Sequence, residues 1–523
     1  MSYDFIIIGS GSAGGVLASR LSEDPTVSVL LIESGPLHHS ISNMPNAVKY
    51  GFGSDRNLRG YWYSNPADGH MFVARATDMQ SPMLVPRGTT LGGSSSVNAQ
   101  IFLRGEPDDY DSWASEGNNL WGFQECLPYF RKLENDLDCS GDFHGKSGPV
   151  QCVRCPREEW HQDQIAFFQG FTKLGFPETF DHNDPDSSGV GPLPFNTIDR
   201  IRQSTWLTYV KPVLERKNLT VLSETQVQSV KFSGSKATSV RANSPDGIKE
   251  ISAGEIILSA GAIGSPQILM LSGVGPAAHL EQLGIDVVHD LPGVGLNLRD
   301  HPQVPLYWKV QSSYDVDQTV RSLQVALRYT ATGSKLRNDM LIHPVSYESG
   351  NPTDKVYFGK ESDDELYVGM VAAIYLAKGS GSLKLRTSDS SVQPFLDYNF
   401  LCEEQDLLRL RESIRLCITV GEGEAYKGLL EERVMPSSKD LESDGKLDQW
   451  LKQNVRTSHH ISGTCKMNPS TDEFAVVNQL GQVHGLSNLR VADASIMNDC
   501  VRANTNVPTM MIGERISDLI KHH

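Results

Sequence analysis

Apolar and polar positions follow more than one period along the chain, and each period predicts a different element. Phe5 to Ile8 is a short unbroken apolar run, as expected of a strand covered on both faces. The glycine- and serine-rich stretch Gly9 to Gly15 then reads as a turn. Val16, Leu17 and Leu21 space an apolar stripe on a short helix, and Val27 to Ile32 is a second buried strand, closed by Glu33. Two more buried-strand patterns lie far downstream, at Leu219 to Leu222 and Glu255 to Ser259. The runs Glu365 to Leu376 and Ser382 to Arg386 alternate, which predicts strands of a more open, half-exposed sheet. Helical spacing is found over Asp406 to Val420 and Thr509 to Ile520. The pattern as a whole predicts an α/β protein in which one nucleotide-binding domain is assembled from separate segments. The stretches between them form a second domain.

The first turn carries chemistry. In Gly9-Ser-Gly11-Ser12-Ala13-Gly14, Gly9 permits a tight turn, Gly11 lets backbone approach a pyrophosphate, and Gly14 lets helix and strand pack closely. The following helix start offers free N–H groups and partial positive charge to phosphates. Glu33 lies where the acid of such a unit accepts hydrogen bonds from an adenosine ribose, and it would repel a 2′-phosphate. The expected nucleotide is therefore FAD or NAD rather than NADP.

Composition narrows the field. With 47 Lys and Arg against 63 Asp and Glu, the net charge is −16, which excludes the basic footprint of a nucleic-acid binder. At 39% hydrophobic and 21% charged residues the chain is globular rather than disordered. No apolar run reaches the ~18 residues of a membrane span. Tyr3-Asp4 leads directly into the first strand without the pattern of a secretory leader, and the eight cysteines are sparse, so a reducing cytoplasm with free thiols is expected. Cys152-Val-Arg-Cys155 has half of a zinc-ribbon spacing but no matching second pair, so no metal is expected. His522-His523 reads as the remnant of a tag.

Four further segments resemble one family. Pro86-Arg87-Gly88-Thr89-Thr90-Leu91-Gly92-Gly93-Ser94-Ser95-Ser96-Val97-Asn98 is similar to the first signature of the glucose–methanol–choline (GMC) oxidoreductases, and Gly261 to Gly275 is similar to the second. Leu291 to His301, and Leu489 to Ser495 with Asn504 to Thr509, also resemble family segments, in the family's order. The resemblance implies a Rossmann-like FAD-binding domain over 1–155, 206–300 and 455–523. It implies a discontinuous substrate-binding domain, an antiparallel sheet with helices, over 156–205 and 301–454. It implies that Leu91, Gly92, Gly93, Ser95 and Asn98 line the flavin, with Arg87 and Thr505 in the same cofactor set. Val227 would meet the adenine, and Asp493 and Ala494 the ribityl and pyrophosphate. Some members join a histidine covalently to the flavin. Val97 stands at the matching position, which implies non-covalent FAD.

The same resemblance singles out a catalytic pair. His460-Ile-Ser-Gly-Thr-Cys-Lys-Met467 is similar to the family segment whose histidine faces the flavin, and Asn504 matches its His or Asn partner. Alcohol oxidation sends a hydride to the flavin and must also remove the hydroxyl proton. An imidazole can take that proton near neutral pH, while an asparagine N–H can support the developing alkoxide. The implied activity is oxidation of a primary alcohol, with aromatic and furanic alcohols as candidates. Oxygen, or a quinone or other carrier, is the implied acceptor. A light-driven decarboxylase on the same scaffold is the alternative chemistry, and the first motif taken alone also permits an NAD-dependent dehydrogenase. Ala99 and Ser458 are candidates for the space beside the flavin, and His459 for a substrate contact. Arg502 is a candidate for binding a substrate carboxylate; its other reading is an ion pair with Asp499 or a position in solvent.

Overall fold

A computed structural model describes residues 2–51, 69–80, 82–317, 320–349 and 366–522. Strand β1 (Ser2–Ile8) sits between β2 (Val29–Ile32) and the long strand Gly247–Leu258, parallel to both. Leu219–Leu222 extends the sheet beyond β2, and Leu489–Val491 pairs with Ile256 to Leu258. The register sets apolar runs side by side, Ile8 opposite Ile32 on one flank and Leu258 on the other. That is why these runs do not alternate: Ile6, Ile7 and all of β2 are buried. Gly247–Leu258 then folds back through two antiparallel strands, Lys236–Ser244 and Gln226–Ser233, completing seven strands.

The parallel strands all end at one edge. There β1 runs into Gly9, β2 into Glu33, the long strand into Ser259, and Leu489–Val491 into Asp493. In open α/β sheets ligands bind outside these carboxyl ends. Helix α1 (Gly14–Leu21) starts from that edge.

The second large sheet is antiparallel throughout, in the order Leu430–Met435, Pro302–Val310, Leu366–Ile374, Met340–Ser349, Val325–Tyr329 and Gly189–Pro192. Helix Glu404–Gly421 packs against it. The strand expected to be half exposed is instead buried from Val368 to Ile374. The helix covers one face and the other looks into a cavity, so neither set of alternating side chains meets bulk water. Ser382–Lys384 belongs elsewhere, to a four-stranded sheet with Phe395–Asp397, Gly69–Arg75 and Met83–Gly88. That small sheet joins segments on both sides of the expected domain division.

The terminal helix, Asn506–His522, lies along α1. The fit is close: a Cβ on Gly513 would stand 2.8 Å from the Ala13 carbonyl oxygen. Arg20 of α1 pairs with the fully buried Glu514 at 2.7 Å, and Ser12 donates to Asn506 Oδ1 at 2.7 Å. No helix among the described residues is long and apolar enough to cross a membrane. All eight cysteines are unpaired.

Candidate active site

The strand ends and the antiparallel sheet enclose a cavity of about 620 Å³, within the ordinary range for cofactor and small-molecule sites. The glycines of the first turn divide the work as their spacing predicts. A Cβ on Gly14 would lie 1.9 Å from the Gly9 carbonyl oxygen, and one on Gly9, at φ +94°, would lie 2.5 Å from that of Ser259. A Cβ on Gly11 meets nothing within 4 Å, so this glycine faces open space. Gly93, at φ +51°, brings the second glycine loop against it, its Cβ position 2.8 Å from Gly11 Cα.

Glu33 holds the turn together. Its carboxylate accepts from Ser10 N and Oγ at 2.9 and 2.7 Å, and from Gly35 N at 3.0 Å. Asp493 does the same for a second turn, accepting from Gly261 N at 2.9 Å, Ser265 Oγ at 2.6 Å and Ser495 N at 2.8 Å. Both acids line the cavity. So do Gly9, Gly11, Ser12, Ala13, Arg87, Gly93, Asn98, Ala99, Val227, Ala494, Asn504 and Thr505. Gly14, Leu91, Gly92 and Ser95 stand behind this wall rather than in it. Ser95 donates to the Gly92 carbonyl at 2.6 Å and meets Thr205 at 2.8 Å, which ties the loop from its far side. Val97 lines the cavity, as does Asn506, which the sequence reading passed over.

At the other end the two sheets meet. Pro302 pairs with Thr457, which sets the turn before Pro302 against the stretch Thr457 to His460. Asp300 Oδ1 accepts from the backbone N–H groups of His301 at 2.6 Å and His460 at 3.0 Å, while its Oδ2 accepts from Thr457 Oγ1 at 2.5 Å. Between them His459 adopts φ +67°. A histidine keeps such a conformation only where its surroundings dictate it. Here its N–H donates to Thr457 Oγ1 at 2.7 Å and its carbonyl accepts from Arg87 at 2.8 Å. His459, His460 and Ser458 all line the cavity.

The structure brings His460 and Asn504 together. Asn504 Nδ2 lies 2.9 Å from His460 Nε2, and the other ring nitrogen, Nδ1, lies 2.9 Å from His301 Nδ1. Burial pushes the His460 imidazole well below the usual histidine range, and nearby His301, His459 and Arg87 add to it. The ring is therefore neutral, with a lone pair on one of its two nitrogens. Around this pair the antiparallel sheet contributes Pro305, Tyr307, Leu341, Val345 and Val371, with Gln303 and His343 as polar points.

Arg502 does not join them. It is 2% exposed, its Nε donates to Asp109 Oδ1 at 2.7 Å and its Nη1 to the Arg337 carbonyl at 2.5 Å. It is absent from the cavity wall, and Asp499 pairs instead with Arg299 at 3.2 Å. The expected substrate contact and both alternatives for Arg502 are thus corrected: a buried guanidinium needs a buried carboxylate, and Asp109 supplies it. The sequence reading also gave no role to Asp300 and His301. Their signal was a charged and an ionisable residue placed directly before a largely buried strand.

Residues 3–303 and 377–513 match the two GMC oxidoreductase family models. An oxygen-dependent choline dehydrogenase of Photobacterium profundum is 33% identical over 99% of this chain and 93% of its own. The mitochondrial choline dehydrogenase of Mus musculus is 36% identical over 100% and 90%. Among solved structures, pyridoxine 4-oxidase from Mesorbium loti superposes with a TM-score of 0.89 at 27% identity, each chain covered in full. The match makes the chain an FAD-dependent oxidoreductase acting on CH–OH donors. The chain belongs to the GMC oxidoreductase family. Its cavity fits FAD: the open face of Gly11 is a cradle that a phosphate can fill. Buried Asn506 Nδ2, Ser458 Oγ and Asn504 Oδ1 have no partner among the described residues, as expected of groups that meet a ligand.

Proposed function

We propose that the protein oxidises a primary alcohol to the aldehyde, with His460 as the base and Asn504 as the donor to the alcohol oxygen. The observation that carries this reading is the 2.9 Å approach of Asn504 Nδ2 to His460 Nε2. A donor and a lone pair stand side by side there on the cavity wall, hydrogen-bonded to each other until a substrate hydroxyl takes up both. A substrate hydroxyl placed there gives its proton to Nε2 and accepts the amide N–H as its oxygen gains charge. FAD, when bound, supplies the acceptor for the hydride that leaves the carbinol carbon. The glycine turns, Glu33 and Asp493 hold its nucleotide portion, and Val97 offers no nucleophile for a covalent link. The apolar wall of Pro305, Leu341, Val345 and Val371 supports an aromatic or furanic alcohol. Oxygen, or a quinone or other carrier, then takes the electrons.

The test is anaerobic mixing with a panel of primary alcohols, aromatic and aliphatic, neutral and acidic, followed by the visible flavin bands. Bleaching is expected, and the speed at which colour returns in air separates oxygen from a carrier. His460→Ala should keep its FAD and lose ~10²–10⁴-fold in the rate of bleaching. Unaltered bleaching in that variant would remove His460 from the role. Flavin that stays with acid-precipitated protein would show a covalent link.

A further inference from the structure

We infer that Asp300 and His301 are the positioning unit of the site: His301 fixes which nitrogen of His460 carries the proton, and Asp300 fixes where that ring stands. The inference rests on the reading of His460 as the base.

The two Nδ1 atoms are 2.9 Å apart and share a single proton. On the far side of His460 the Asn504 N–H is directed at Nε2, so Nε2 is bare. The neutral ring therefore holds its one proton on Nδ1 and donates it to His301. A bare Nε2 is what a base facing the cavity requires. Were His301 the donor, His460 would carry its proton on Nε2 and could take none from a substrate.

His301 is built to accept. It is 0% exposed, and its ring stacks on Tyr375 with centroids 4.1 Å apart and planes 9° from parallel. Burial pushes its pKa down to about 3, against the pull of the Val501 carbonyl, so it stays neutral beside His460. Stacking and burial together leave the His301 ring little freedom to turn its Nδ1 away.

Asp300 completes the unit. One carboxylate oxygen takes the backbone N–H groups of both histidines, at 2.6 and 3.0 Å, and the other is held by Thr457 at 2.5 Å. The two rings are thus tied to one atom although they lie 159 positions apart in the chain. Neither residue reaches the cavity wall, so both act through His460 and not on the substrate.

Two variants and one spectrum test this on the FAD-loaded enzyme. His301→Leu removes the acceptor. His301→Asn keeps one, because its Oδ1 stands as many bonds from Cα as the histidine Nδ1. In anaerobic stopped-flow mixing, His301→Leu should lower the limiting rate constant of flavin bleaching roughly 10–100-fold, the span known for residues that orient metal-bound histidines. Substrate Kd and flavin content should hold, and His301→Asn should recover much of the rate. Separately, 15N spectra of histidine-labelled protein, with the His460 signals identified by their loss in His460→Ala, read the tautomer without turnover. A protonated Nδ1 and bare Nε2 are expected in the wild type, and a mixture in His301→Leu. Three results overturn the inference: a protonated Nε2 in the wild type, an unchanged rate in His301→Leu, or equal losses in the two variants. If no alcohol bleaches the wild-type flavin, the alcohol reading fails, and the spectra still decide the tautomer.

Discussion

Two side chains from one short stretch, Arg502 and Asn504, end in opposite places. Asn504 faces the cavity; Arg502 turns inward to Asp109, whose second oxygen accepts the Arg502 backbone N–H at 2.8 Å. Removing one partner of a buried pair strands the other charge, so Arg502→Ala should cost about 3–5 kcal/mol. A denaturant melt would read that loss, and the ranking of acidic and neutral alcohols should not move. A changed ranking would return Arg502 to the substrate. At this scale the sequence was informative where a residue sat inside a motif and silent where its meaning came from a distant partner. His460 and Asn504 were legible through the segments around them. Asp109 lies 393 positions before Arg502, and no local pattern links the two. His301 acquires its role only when Pro302 pairs with Thr457, a contact no local pattern encodes.

Among the elements, the strand–turn–helix unit that opens the chain is the most fully determined by its own residues. Unbroken apolar runs, a glycine turn and a closing acid agree, and the strands form in register around them. The Gly14 position can be tested alone. Gly14→Ala would drive a methyl group to within 1.9 Å of the Gly9 carbonyl oxygen, so the turn must open. FAD content after purification should fall steeply, whereas Gly11→Ala, with no protein atom in its way, should fold normally and lose cofactor only through contact with it. Normal FAD content in Gly14→Ala would show that the turn relaxes freely. The antiparallel sheet was less legible. Its strand Leu366–Ile374 was found by alternation, but burial was misjudged because alternation does not tell a water-facing side from one facing a cavity. Ser382–Lys384 was also found as a strand; its partner Phe395–Asp397 is only three residues long and shows no period.

For the molecule as a whole, charge enters through a buried network away from the cavity. His144 lies 2.8 Å from Asp181 and 3.4 Å from Glu134. Burial works against its charged form, yet Asp181 and Glu134 prevail and raise its pKa to about 9. Since the folded value lies above the ordinary 6.5, this contribution to stability is complete below pH 6.5 and is lost as pH climbs through 9. Thermal melts should fall between pH 7 and 9.5 in the wild type, and His144→Gln should flatten that part of the curve. Equal slopes in both proteins would refute the assignment. A last consequence concerns synthesis, through the pairing of the terminal helix with α1. Glu514 receives Arg20, Lys132 and Tyr209, and Asn506 receives Ser12 beside the phosphate cradle. On the ribosome the first strand, turn and helix emerge hundreds of codons before the helix that covers them. Until that helix follows, the N-terminal segment is a nascent surface in need of shelter, and the cradle lacks one wall. Cofactor capture is thus expected only once residues 506–522 have joined α1.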